Sequence, residues 1–186
     1  TSLRKNNYEV IVFSRNTKQA KLLLPDANKF VEWDYSNLNQ WKSEIEGTYA
    51  IIHLAGVNLF EKRWNEKFKS QILESRELST RKLVDAIRST VKKPDVFISA
   101  SGIGIYANRS DEILDEQSTI GNDFLANVCK VWEDESHKVE DFGIRSVQIR
   151  TGLVLSTEDG ALKQMLPAFK MFFGGPLGNG MQWSSW

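Results

Sequence analysis

Cysteine is nearly absent from the 186-residue chain. Cys129 stands alone, so no disulfide can close within it, and a reducing cytoplasm fits that usage. A surplus of charge is missing too. Lysine plus arginine and aspartate plus glutamate number 24 each, which leaves no electrostatic footprint for nucleic acid or an anionic membrane. No apolar run reaches the length of a membrane span, and the first residues do not read as a signal peptide. Neither a membrane nor a nucleic acid is therefore expected as a partner, and a targeting segment ahead of Thr1 is left open. Histidine is scarce, and His53 has no second metal ligand nearby in sequence, so no metal is expected. Internal repeats, low-complexity tracts and linkers are also missing. What remains is 41% hydrophobic and 26% charged, the mix of a globular domain with a sizeable core.

Short β-branched runs alternate with helical stretches. The pattern predicts strands over Tyr8–Phe13, Phe30–Trp33, Thr48–Leu54, Asp95–Ala100 and Ser146–Arg150. It predicts a short helix capped by Asn16 and helices over Asn37–Glu46, Asn65–Ser89, Asn122–Phe142 and Ala161–Phe172. A polar loop from Gly102 to Ile120 and a turn-rich loop from Gly174 to Gly180 complete the chain. Parallel strands cannot be joined by tight turns and need such crossovers. The expected fold is therefore α/β, a doubly wound parallel sheet whose ligands sit just beyond the carboxyl ends of the strands.

Three of those strand ends carry suggestive chemistry. After the first comes Ser14-Arg15-Asn16-Thr17-Lys18, with no acid to grip ribose hydroxyls and several donors that suit the extra phosphate of NADP; a solvated basic turn is the plain alternative. After the long apolar strand come His53, Leu54, Ala55 and Gly56, small enough to let backbone approach a flat ligand, or simply a strand end with a turn glycine. After the next lies Ser99-Ala-Ser-Gly-Ile-Gly-Ile-Tyr106. There Ser101 and Tyr106, five residues apart, suit carbonyl polarisation or proton relay, or only bonding to local backbone.

Together, in this order, several segments resemble the extended short-chain dehydrogenases/reductases. More narrowly they resemble the atypical branch of nucleoside-diphosphate-sugar epimerase-like proteins. They are Ser14–Asn16, His53–Gly56, Lys62–Asn65, Ser75-Arg76, Ser99–Gly102, Phe124–Glu133, Arg150–Leu155, Leu166–Phe169 and Gly174–Trp183. The resemblance implies a Rossmann-like domain that binds NADP. Ser14, Arg15 and Lys18 would hold the 2′-phosphate, and Leu54, Ala55 and Gly56 would line the adenosine side. Gln71 and Arg76 would face the cofactor or substrate pocket, Ser99 would lie against the cofactor, and Val154 would sit near the nicotinamide. Ser101 matches the position of an active-site serine, and Tyr106 joins it as a catalytic candidate.

Two departures from that pattern stand out. The glycine-rich phosphate loop and the strand before it are not in the sequence, and the chain stops at Trp186 where such proteins usually continue. The expectation is thus a domain truncated at both ends, with the substrate-binding portion beginning near residue 157. Phe124 and Val128 occupy the places of the catalytic tyrosine and lysine. Neither can transfer a proton, so replacement groups would be needed, Asp115 and Glu116 included. Two functions follow: an NADP-dependent epimerase or oxidoreductase acting on a small molecule such as a sugar nucleotide, or a non-catalytic NADP-binding redox sensor. Phe172 and Phe173 suit a subunit interface and hence a homodimer. Trp132 reads as core, Cys129 as too poorly placed for a nucleophile, and His137 as a surface residue.

Overall fold

The computed structural model describes residues 1–158, 160–176, 178–181 and 183–186. Leu177 and Gln182, both within the last matching segment, lie outside them. In chain order the elements are α1 (Ser2–Lys5), β1 (Ile11–Ser14), α2 (Thr17–Leu23), β2 (Lys29–Glu32), β3 (Ala50–His53), α3 (Glu66–Arg88), β4 (Val96–Gly102), α4 (Phe124–His137), β5 (Arg145–Thr151) and α5 (Gly160–Lys170). All strand pairs are parallel. β1 pairs with β2, and β4 lies between β3 and β5. Among the described residues no ladder joins the two sheets.

The two sheets nevertheless run in the same direction. Tyr8, ahead of β1, stacks on Tyr49, ahead of β3, with centroids 6.3 Å apart. Trp33, just after β2, meets His53, the last residue of β3, at 5.8 Å. The carboxyl ends of both sheets therefore share one edge. Among the described residues β1 and β3 each pair with a strand on one side only, and the architecture is a Rossmann-like α/β fold.

Side-chain caps start the helices where the sequence predicts. Asn16, Asn65 and Asp123 accept from the backbone N–H groups of Gln19, Phe68 and Ala126, satisfying donors that a helix start leaves free. Residues 37–46 differ from expectation. They form two 3₁₀ turns, Leu38–Gln40 and Lys42–Ile45, interrupted at Trp41, whose φ of −134° is not helical. Trp41 is fully buried and its indole N–H donates to the Asp34 carbonyl at 2.8 Å; tertiary burial overrides the local pattern there. The helix predicted to reach Phe142 ends at His137 and tightens into a 3₁₀ turn over Lys138–Phe142, closed by Gly143 at φ +75°.

The core gathers Val31, Trp41, Ile45, Val84, Ile87, Phe97 and Val139 between the sheets, α3 and the turn after α4. Along β4 burial alternates, with Phe97, Ser99 and Ser101 all buried. Ile52 and Ile149, on β3 and β5, are nearly half exposed at 45% and 46%, whereas all-parallel sheets ordinarily have both faces covered.

Candidate cofactor and substrate site

At the carboxyl edge of β3 and β5 lies a cleft of about 400 Å³, lined by Leu54, Gly56, Val57, Asn58, Phe60, Arg76 and Val154 among others. Its wall is built by α3. Ser75 Oγ accepts from the Val57 N–H at 3.1 Å, and Arg76 Nη2 donates to the Val57 carbonyl at 3.2 Å. Arg76 Nη1 also donates to Ile72 O, and the guanidinium lies 5.0 Å from the Trp132 ring centroid. Burial pulls the Arg76 pKa down. A Cβ on Gly56 would come within 2.9 Å of the Arg76 guanidinium carbon, so only glycine lets loop and arginine meet this closely.

This cleft unites Leu54, Gly56, Arg76 and Val154, with half-buried Ala55 between two of them. Leu54 and Val154 are largely exposed, as lips of the cleft. Gln71 is elsewhere. It lines a second, smaller pocket with Lys62, Arg63, Asn65, Lys67 and Phe68. Ser14, Arg15 and Lys18 sit at the end of β1 and the start of α2. The Ser14 hydroxyl is taken up by the backbone of Asn16, and Arg15 and Lys18 are exposed. Ser99 is fully buried, and its hydroxyl donates to the Ala100 carbonyl at 3.1 Å.

Ser101 and Tyr106 are brought into one network, through two residues to which the sequence reading assigned no role. Ser101 Oγ donates to Glu133 Oε1 at 2.6 Å. Arg150 grips Glu133 with Nε at 2.9 Å and Nη2 at 2.7 Å, and its Nη1 donates to the Tyr106 hydroxyl at 2.7 Å. Ser101, Tyr106 and Glu133 are buried. Burial alone would raise the Glu133 carboxyl, but the hydrogen bonds from Arg150 and Ser101 outweigh it and hold it below its usual range. Against Glu133, Arg150 is held more firmly protonated than usual. Both residues stand inside segments that carry the resemblance, yet their pairing across seventeen positions leaves no periodic signal.

The remaining candidates have quieter surroundings. Val128 is buried against Phe68 and Ile72, and Phe124 packs on the same cluster. Cys129 is buried, which pushes its thiol pKa up. Asp115 and Glu116 are exposed; the Asp115 carboxylate accepts from Ser118 and Gln117, which lowers its pKa. Trp132 is buried, His137 is exposed beside Glu140, and Phe172 and Phe173 are exposed. Among the described residues no group of three or more potential ligands could hold a metal ion, and no helix is long and apolar enough to cross a membrane.

Parallel strands, crossover helices and a cleft at the strands' carboxyl edge define a Rossmann-like nucleotide-binding domain. The chain belongs to the NAD-dependent epimerase/dehydratase family, whose model matches residues 1–128. It is 37% identical over 186 residues to the epimerase family protein SDR39U1 homolog, chloroplastic, of Arabidopsis thaliana, covering 99% of this chain and 53% of that one. Among solved structures it is similar to the human epimerase family protein SDR39U1 (isoform 2) with NADPH, at 27% identity and a TM-score of 0.75, covering 94% of this chain and 64% of that one. It is also similar to a nucleoside-diphosphate sugar epimerase from Corynebacterium glutamicum, at 33% identity and a TM-score of 0.69, covering 96% and 40%. The chain thus spans a little over half the length of the Arabidopsis relative.

Proposed function

We propose that this chain is the cofactor-binding part of an NADP-dependent epimerase or oxidoreductase acting on a sugar-nucleotide-like substrate. The observation that carries the reading is the cleft of Leu54, Gly56, Arg76 and Val154 at the same sheet edge as the acid-free Ser14-Arg15 turn. An arginine in that turn suits a 2′-phosphate, where an acid would favour NAD. The human relative whose solved structure includes NADPH supports the same cofactor, and the Corynebacterium relative's name supports the substrate class.

In this reading Ser14, Arg15 and Lys18 hold the 2′-phosphate. Leu54, Ala55 and Gly56 form the wall on the adenosine side, and Val154 stands near the nicotinamide. The cofactor supplies hydride transfer. Ser101 and Tyr106 handle the proton, because Phe124 and Val128, at the matching places of the usual tyrosine and lysine, have no proton to give. The Tyr106 hydroxyl accepts from Arg150, which leaves its own hydrogen available to a substrate oxygen. Residues from about 157 onward begin the substrate-binding portion.

Calorimetric titration with NADPH and NADH, on the protein and on an Arg15→Ala variant, tests the cofactor reading. Expected are preference for NADPH and a loss of about 1–3 kcal/mol in the variant. Failure to bind either nucleotide would overturn it. Binding without NADPH oxidation by any member of a sugar-nucleotide panel would leave a cofactor-binding module that does not turn over.

A further inference from the structure

The approach to α3 gathers cations that neither the core nor the cofactor cleft uses. Lys62, Arg63 and Lys67 line, with Asn65, Phe68 and Gln71, an open pocket of about 230 Å³. The Arg63 and Lys67 side chains make no ion pair or hydrogen bond among the described residues. Lys62 has only Glu61 at 3.5 Å, a pair with side chains 60% and 52% exposed, and exposed pairs of this kind hold little energy. The next acid along the chain, Glu66, is engaged by Lys69 at 3.0 Å.

The segment carrying these cations is pinned in place. Buried Phe68 anchors it from below, and Lys62 Nζ sits 6.0 Å from that ring's centroid. Asn65 caps the helix, and the Trp64 indole N–H donates to the Leu59 carbonyl at 2.9 Å while its ring packs edge-on against Phe124. Fixed cations gathered without matching acids repel one another, and an anion relieves that repulsion. Guanidinium and ammonium groups beside two side-chain amides make a donor-rich set suited to phosphoryl oxygens. The pocket also follows directly along the chain from Leu59 and Phe60, which line the cofactor cleft. The cofactor's own 2′-phosphate is assigned to a different place, the end of β1.

We infer that this pocket receives the phosphoryl groups of the substrate, with Arg63 and Lys67 binding a nucleoside diphosphate while the rest of the molecule reaches the cofactor cleft. The inference rests on the sugar-nucleotide reading above and gives its anionic end a location.

The test is calorimetry on the NADPH-loaded protein with inorganic pyrophosphate, UDP and uridine, repeated on an Arg63→Ala/Lys67→Ala double variant and on Lys67→Arg. Both positions are exposed and unpartnered, so the variants should fold, and a thermal melt checks this. Expected is a roughly ten- to hundredfold loss of pyrophosphate and UDP affinity in the double variant, with Lys67→Arg close to the parent and NADPH affinity unchanged. Pyrophosphate and UDP binding as tightly to the double variant as to the parent would overturn the inference. So would a parent that binds NADPH but neither anion, or an NADPH affinity that falls in step, which would assign the pocket to the cofactor. A parent that binds pyrophosphate but not NADPH would instead sink the cofactor reading and leave the anion pocket standing.

Discussion

Two sets of charges along α3, α4 and β5 have opposite fates. Glu133 and Arg150 are neutralised inside the fold, with Ser101 and Tyr106 drawn into their network. The Arg63 and Lys67 side chains stand in an open pocket without an ion pair among the described residues. The pair would be costly to break, because Glu133 left alone would be a buried charge and Arg150 a half-buried one. The open pair costs little to lose and is free to meet a ligand. The contrast separates charge that builds the domain from charge that serves it.

The sharpest way to break this contrast is Glu133→Ala. It leaves Arg150 with only neutral acceptors, and the expected loss is about 3 kcal/mol in urea unfolding, against a change within about 0.5 kcal/mol for Lys67→Ala. Equal losses would erase the distinction.

A second effect, of comparable size, comes from His53. Burial lowers its pKa from 6.5 to about 4, with Thr80 Oγ1 at 3.0 Å from Nε2 and Phe97, Trp33 and Trp132 around the ring. Between those values the unfolded chain binds the extra proton, so stability falls with acidification. It is full above about pH 6.5 and declines by roughly 3 kcal/mol as pH reaches about 4. Below the ordinary glutamate value of 4.5 the depressed Glu133 carboxyl adds to the loss in the same direction. Urea midpoints across this range check the slope, and His53→Gln should flatten it above pH 5.

A smaller loss is expected of Gly56→Ala. The new Cβ would displace the Arg76 guanidinium from the Val57 carbonyl, costing about 1 kcal/mol by thermal melt. An unchanged melting temperature would mean that the clamp contributes nothing.

Much of the fold was legible because its signals are local. Asn65 before a long apolar stripe predicts α3 to within a residue at each end, and the apolar run Thr48–Leu54 predicts β3, which covers Ala50–His53. Trp41 escaped because its burial depends on residues distant in sequence. The strand ends single out Leu54 and Gly56 and the resemblance adds Val154, and the three line one cleft. The division of Gln71 from Arg76 into separate pockets depends on which side of α3 each loop covers. The Glu133–Arg150 pair depends on the crossover from α4 to β5. Neither leaves a pattern in spacing, so both emerge only in the folded chain.

Val57 lies in the wall of the cofactor cleft. Because α3 holds both its N–H and its carbonyl, this wall of the cleft is already ordered before any ligand arrives. A nucleotide entering there would find little chain entropy left to remove. Its association should therefore be governed by encounter and orientation rather than by a slow rearrangement of the loop.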